Sequence, residues 1–542
     1  MNKMAHALTA LTLTGAMMMA GCGRTDAPSG DSSTTTPTGT STGSTADPSS
    51  QNIIVGTTDQ IVALDPAGSY DTGSGLFKFQ IYQFLYGFGP NDKSATPDAA
   101  TSCGFTAPTV FTCTLKPGLK FANGDDLTSS DVKFSFDRIK TINSPQGPQT
   151  LLSNLASVDA PDPLTVTFNL KNPNDQTFEQ VLGTSVGPIV DEQVFSPTQV
   201  TSDDDIIKAN AFSGPYTITT YNKNQTAVLV PNPNYNGNNP KPNHASITVQ
   251  TFTDATNMKL SISNGQIDVA YRSLAPTDIA ALQSDPSVKV WQEPGGEIRY
   301  ITFNLNTMPG DNDAQKLAIR QAIASLVDRD ALSKDVYKGQ YAPLCSYVPS
   351  GYAGANTAVC DTYPLDKTAA AKYLSDAGLA TPVKLSLEYN TDHYGSSSDQ
   401  EYTAVKQQLE NSGLFTVDLQ SAAWSTYSKE RTQDSYPIYQ MGWFPAFPDS
   451  DTYLTPFFSA TSFLGNHFNS PEIQQMLTQE VSETDAAART TEIGNIQTTV
   501  AQKYLPTLPL LQGSQWAVTR TNVTGVSLNV SQLLMFTTLV KN

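Results

Sequence analysis

Two serine patterns in this chain have the spacing of nucleophilic catalysis. Gly183-Thr184-Ser185-Val186-Gly187 matches G-x-S-x-G, in which a serine is exposed on a sharp strand-to-helix turn. That chemistry also needs an acid and a histidine downstream, and His244, His393 and His467 are the residues that could be nominated. The motif is followed by Pro188-Ile189-Val190, which reads as extended, so the helix of the elbow is missing. Ser130-Asp131-Val132-Lys133 fits Ser-x-x-Lys, the pattern that places a lysine beside a serine nucleophile. Metal chemistry has less to stand on. The four histidines, His6 included, are isolated, and neither His-Glu-x-x-His nor Cys-x-x-Cys occurs. We therefore expect no catalytic residue, no metal site and no cofactor.

The cysteines carry more information. Cys103 with Cys113, and Cys345 with Cys360, form two local pairs, which suggests two disulfides closing short loops in an oxidising compartment. The fifth, Cys22, ends the run Met19-Ala20-Gly21-Cys22 after Lys3 and a mostly apolar stretch from Ala5 to Ala20. This resembles the lipobox of bacterial lipoprotein signal peptides. The resemblance implies that residues 1–21 are removed and that Cys22 is lipidated. Residues 23–50 are almost all Ser, Thr, Gly, Pro, Asp and Ala, too poor in apolar surface to offset their ordering entropy. We expect 22–51 to be a disordered tether on the outer face of a membrane, with the lipid as sole membrane contact. No later stretch has the 18 or so consecutive apolar residues of a spanning helix. The net charge of −18 makes nucleic acid an unlikely partner, since phosphate binding needs a basic face.

The body must position whatever chemistry there is, and its length implies two or three domains. Ile53–Val62 reads as a strand, followed by a polar loop over 64–75 and an aromatic run, 76–88, at helical spacing. Ser129 or Ser130 can cap a helix through Val132, Phe134, Phe136 and Ile139. A hairpin is expected over 216–221 and 226–231, with strands at 247–253, 267–270, 299–305 and 383–389. Helices are expected at 254–264, 367–377 and 401–410, ended by Gly265, Gly378 and Gly413, and another is capped near Asp313. Ser470-Pro471 opens one more. Short strands alternating with capped helices indicate an α/β protein.

Six ordered motifs then resemble the large extracytoplasmic solute-binding proteins of peptide-importing ABC transporters. They are Leu64-Asp65-Pro66, LKPGLKFANGDDLTSSDVKFSFDR at 115–138, Gly214-Pro215-Tyr216, SNGQIDVAY at 263–271, IRQAIASLVDRDAL at 319–332 and Met441-Gly442-Trp443. The resemblance implies a two-lobed fold of the periplasmic-binding-protein type II class, with an extra subdomain inserted in the first lobe. Lobe I would comprise 52–95, 210–305 and 500–542, the insert 96–209 and lobe II 306–499. It also implies a monomer that delivers a solute, above all an oligopeptide or dipeptide, to permease subunits; sugars, opines and metal chelates are the alternatives. The ligand would lie against Ser69, Tyr70, Asp71, Thr72 and Ser74 from one lobe, and Gly442, Trp443 and Phe444 from the other. Peptide binders of this family usually carry Asp three residues after that Trp. Here Ala446 stands there; either Asp449 or Asp451 substitutes for it, or the ligand lacks a free ammonium.

Overall fold

The computed structural model describes residues 51–89, 95–272, 274–391, 393–395, 397–460, 462–528 and 533–542. The expected signal segment, Cys22 and the tether up to residue 50 lie outside them. Among the described residues eleven strands form one mixed sheet, and no helix is long and apolar enough to cross a membrane.

One half of the sheet is built around Asn52–Thr57, whose Ile53 and Val55 are buried. It pairs in parallel with Ser246–Thr251 on one side and Val269–Tyr271 on the other. The hairpin of Tyr216–Asn222 and Thr226–Pro231 extends it. Asn224 takes the left-handed conformation (φ 57°) that closes the turn. The other half has Val383–Asn390 in parallel with Phe415–Ala422, joined through Glu388 and Tyr439 to Ile438–Trp443. Two long strands, Val288–Phe303 and Thr507–Arg520, run antiparallel through both halves. The second of them pairs with Val269–Tyr271 in one half, and the first with Ile438–Trp443 in the other.

The register of the long pair shifts between Pro294 and Ile298. Gly295 and Gly296 fill the shift for a steric reason. A Cβ on Gly295 would lie 2.7 Å from the Gly513 carbonyl oxygen, and one on Gly296 would strike Pro445 and the Tyr453 hydroxyl. Separate hydrophobic clusters flank the halves. One gathers Ile53, Phe77, Ile218 and Val249, the other Ile301, Ile323, Leu385 and Val417.

A third cluster belongs to a four-stranded antiparallel sheet in the order Ala100–Ala107, Val110–Leu115, Thr165–Leu170, Leu155–Asp162. Helix Ser129–Ile142 covers it, with Phe136 edge-on to Phe168 at 5.1 Å. Cys103 and Cys113 are cross-strand partners, Cα atoms 4.1 Å apart, joined as a disulfide. Cys345 is bonded to Cys360 on the short helix Ala358–Thr362.

Local structure differs from the sequence reading at several places. The aromatic run is helical only over Thr72–Ile81. Beyond Tyr82 the chain is extended, because Leu85 and Phe88 pack in the cluster of the four-stranded sheet while Leu76 and Phe77 face the first half. Thr128, not Ser129 or Ser130, caps helix Ser129–Ile142, in a capping box with Asp131. Asn312 rather than Asp313 caps helix Asp313–Ala324. Asp254, read as the first residue of its helix, caps it instead; Asp366 and Ser470 cap the helices that follow them, and Gly265, Gly378 and Gly413 have positive φ.

The two most informative motifs meet in space. Arg138, the end of the 115–138 signature, grips Asp65 of Leu-Asp-Pro through two hydrogen bonds of 2.6 and 2.7 Å. Both side chains are fully buried. Asp65 also accepts from the amides of Ala67 and Thr201, and Arg138 Nε donates to the Ser196 carbonyl. Removing one partner strands a buried charge, at a cost of about 3–5 kcal/mol. We expect Asp65→Ala and Arg138→Met each to lose that much in urea unfolding, and the double variant to lose clearly less than the sum. Additive losses would show that the pair is not coupled.

Candidate functional site

A cavity of about 540 Å³ opens where the long strands change register. Ala270, Tyr271 and Arg272 border it at the end of one half. Glu297 and Arg299 come from one long strand, immediately past the glycines, and Ser514 to Val518 from the other. Tyr337, Tyr341, Tyr394 and Phe444 supply the opposite wall. The walls are therefore aromatic, with charged groups set among them, and they come from both halves. Arg272 lies over the ring of Phe444 at 5.3 Å, a cation–π contact between the halves. Outside the cavity, the four-stranded sheet also touches the second half. Phe447 packs into the cluster of the four-stranded sheet, and the Gln176 amide donates to the Val481 carbonyl at 2.9 Å.

The charges are arranged in two pairs. Arg272 sits 3.1 Å from Asp59, and its backbone is left-handed (φ 64°), costing roughly 1–2 kcal/mol in a residue with a Cβ. Arg299 is almost fully buried and paired with Glu297, which also accepts from the Tyr341 hydroxyl at 3.0 Å. Arg299 Nη2 donates to the Tyr394 carbonyl at 2.7 Å, and its guanidinium lies over the Tyr394 ring. Burial disfavours both cations, but Asp59 and Glu297 more than compensate, so each pKa is raised. Arg272 Nε is the atom that faces Asp59, while Arg272 Nη1 and Arg299 Nε and Nη1 keep no hydrogen-bond acceptor.

The residues nominated from sequence are placed as follows. Phe444 lines the cavity; Ser69, Tyr70, Asp71, Thr72, Ser74, Gly442, Trp443 and Asp449 do not. The Ser69–Ser74 loop spends its polar atoms within its own half. Ser69 Oγ donates to the Ala63 carbonyl, and the Ser69 carbonyl accepts from buried Lys78. Asp71 caps helix Thr72–Ile81, Ser74 Oγ accepts from the amides of Val62 and Ala63, and Tyr70 is exposed. Trp443 packs on Phe457 and Phe463. Gly442 acts indirectly: a Cβ there would fall 2.6 Å from Arg299 Nη1, so the glycine makes room for that guanidinium. Asp449 is held by both terminal nitrogens of Arg489, at 2.7 and 2.8 Å. Asp451 bonds Thr455, and burial together with Asp451 pushes the carboxyl of neighbouring Glu480 well above its usual range.

The serine patterns are spent on structure. Residues 183–187 form turns after helix Phe178–Val181, with no strand before and no helix after. Ser130 Oγ donates to Glu192, and Lys133 is bonded to Asp137 and the Val158 carbonyl. His244 bonds Tyr216, His393 stacks on Trp424, and His467 meets Asp434. Arg272, Glu297 and Arg299 were not singled out from sequence. The only signal was their place beside motifs, Arg272 directly after SNGQIDVAY.

Behind the cavity wall, Glu401 is fully buried and accepts from the Tyr337 hydroxyl at 2.7 Å. Burial pushes its carboxyl up to about 7, against the pull of Arg299 and the Tyr337 bond. Because the folded pKa exceeds the unfolded one, the folded protein binds the extra proton. Its stabilising contribution is complete below about pH 4.5 and is lost as pH rises through about 7. Glu401→Gln should match the parent near pH 5 in thermal melts and exceed it at pH 8, by at most about 3 kcal/mol. An equal gap at both pH values would refute this.

Comparison with known proteins agrees with the architecture. The family described as bacterial extracellular solute-binding proteins, family 5 Middle, matches residues 95–464. The chain is 27% identical to the probable D,D-dipeptide-binding periplasmic protein DdpA of Escherichia coli K12, over 82% of this chain and 85% of that protein. It is 24% identical to the glutathione-binding protein GsiB of Salmonella paratyphi A, over 77% and 80%. Its fold superposes on the periplasmic binding protein DppA of Helicobacter pylori, solved with the peptide STSA, with TM-score 0.74 and 18% identity, covering 91% of this chain and 98% of that one. The two halves on shared long strands are thus the two lobes of a type II periplasmic-binding-protein fold, and the chain belongs to the family 5 extracellular solute-binding proteins.

Proposed function

We propose that this protein is the extracytoplasmic receptor of an ABC importer, and that it captures a short peptide between its lobes and presents the closed form to permease subunits. The observation that carries this is the cavity at the crossing of the long strands, walled by both lobes. Its volume falls within the range of about 300–1,000 Å³ usual for small-ligand sites. Aromatic faces from Tyr341, Tyr394 and Phe444 suit apolar side chains of varied shape. The peptide assignment is supported by the relatives, named for dipeptide and glutathione binding, and by the neighbour holding STSA. Phe444 is the residue among those first nominated that stands at the ligand. The receptor acts as a monomer, held to the membrane by lipid on Cys22.

Denaturing the natively purified protein and identifying what it releases by mass spectrometry tests the peptide. We expect peptides of a few residues, and their return to stripped protein should reduce its radius of gyration in small-angle scattering. Release of no peptide, together with no binding from a di- and tripeptide library, would end the assignment. For the tether, Cys22→Ser should leave the protein unprocessed or free of membranes; normal processing and membrane retention would refute lipidation there.

A further inference from the structure

The cavity is lined by buried guanidinium groups whose donors are not all paired. Asp59 and Glu297 neutralise Arg272 and Arg299. Yet with Arg272 Nε turned to Asp59, Arg272 Nη1 and Arg299 Nε and Nη1 are left without an acceptor, in side chains that line the cavity and are mostly or almost wholly buried. Buried donors left unpaired are costly. Arg272 belongs to the first lobe and Arg299 to the strand that continues into the second. Both are fixed by their surroundings. Arg272 is set by its left-handed backbone and by Phe444, and Arg299 by the Tyr394 carbonyl, the Tyr394 ring and the space above Gly442.

A ligand ammonium finds no comparable place. Ala446 carries no charge, Asp449 is taken by Arg489, and the carboxylates that border the cavity are engaged: Glu297 by Arg299 and Tyr341, Asp278 by Lys259, and Asp254 as the cap of helix Ala255–Ser263. A planar carboxylate offers two oxygens with about four lone-pair sites, enough to accept single hydrogen bonds from both guanidinium groups. We propose that Arg272 and Arg299 form a carboxylate subsite, and that the ligand enters this receptor anion-first, held by its carboxylate rather than by its amino group. The inference rests on the peptide-receptor reading and narrows it to peptides with an available carboxylate, from the C-terminus or an acidic side chain.

The test uses stripped full-length protein and a di- and tripeptide library in two forms, free acids and C-terminal amides, with retained species identified by mass spectrometry and hits measured by calorimetry. We expect acids to outbind their amides by about 10- to 100-fold, and N-acetylation to matter far less. Amides rescued by a Glu or Asp side chain would place the side-chain carboxylate in the subsite; amides not rescued would place the C-terminus there. Arg272→Gln and Arg299→Lys should bring the acid-to-amide ratio toward one. Asp59→Asn/Arg272→Gln serves as a charge-balanced control should Arg272→Gln alone fail to fold. Amides bound as tightly as acids, or folded variants that keep the parental ratio, would overturn the subsite while leaving the peptide receptor intact. Retention of neither form would instead overturn the peptide reading, and this inference with it.

Discussion

The backbone ladder between Val288–Phe303 and Thr507–Arg520 holds both lobes in a single sheet, and every other arrangement works within that constraint. Two lobes joined by loops could drift apart. Two lobes that share hydrogen-bonded strands can only bend relative to one another, and the register shift at Pro294 and Ile298 gives the bend a place. The glycines there are dictated by crowding against Gly513, Pro445 and Tyr453. The cavity therefore falls beside the bend, where the side chains of Glu297 and Arg299 emerge from the ladder itself. Charge placed on the shared strand stays fixed while walls on either side tilt.

The inserted four-stranded sheet is attached differently. Its helix sends Arg138 into the first lobe to meet Asp65, and two further backbone amides complete the carboxylate's bonding. A buried pair whose own oxygens and nitrogens are all bonded fixes one orientation of insert on lobe. It also explains why Leu-Asp-Pro and the Asp-Arg end of the 115–138 signature stand out as motifs: they are the two faces of a joint.

The fold was legible where local chemistry decides it. Asp254, Asp366 and Ser470 ahead of apolar periodicity marked helix starts, and glycines with positive φ marked the ends. The long strand Val288–Phe303 was only half visible, because Pro294-Gly295-Gly296 resembles a break and becomes a strand only through pairing with a segment two hundred residues away. The aromatic run after Leu76 kept helical spacing past the point where its residues divide between two cores. The site was legible as a region and not as residues. Gly442 and Trp443 led to the right strand, but the groups at the cavity are its partner Arg299 and its neighbour Phe444. Nothing local in the sequence distinguishes an arginine on solvent from one beside a cavity. Asp449 shows the converse: a carboxylate at a suggestive spacing is claimed by Arg489, forty residues on.

Phe447 in the core of the four-stranded sheet, and the Gln176–Val481 bond, tie that sheet to the second lobe at points outside the cavity. Closure accordingly has an intrinsic free energy of its own, separate from whatever the solute contributes. The solute's measured affinity is then its intrinsic affinity scaled by the fraction of molecules in the conformation able to admit it. A substitution at Phe447 would shift that fraction for every solute alike, retuning the threshold concentration of the receptor without altering which solutes it prefers.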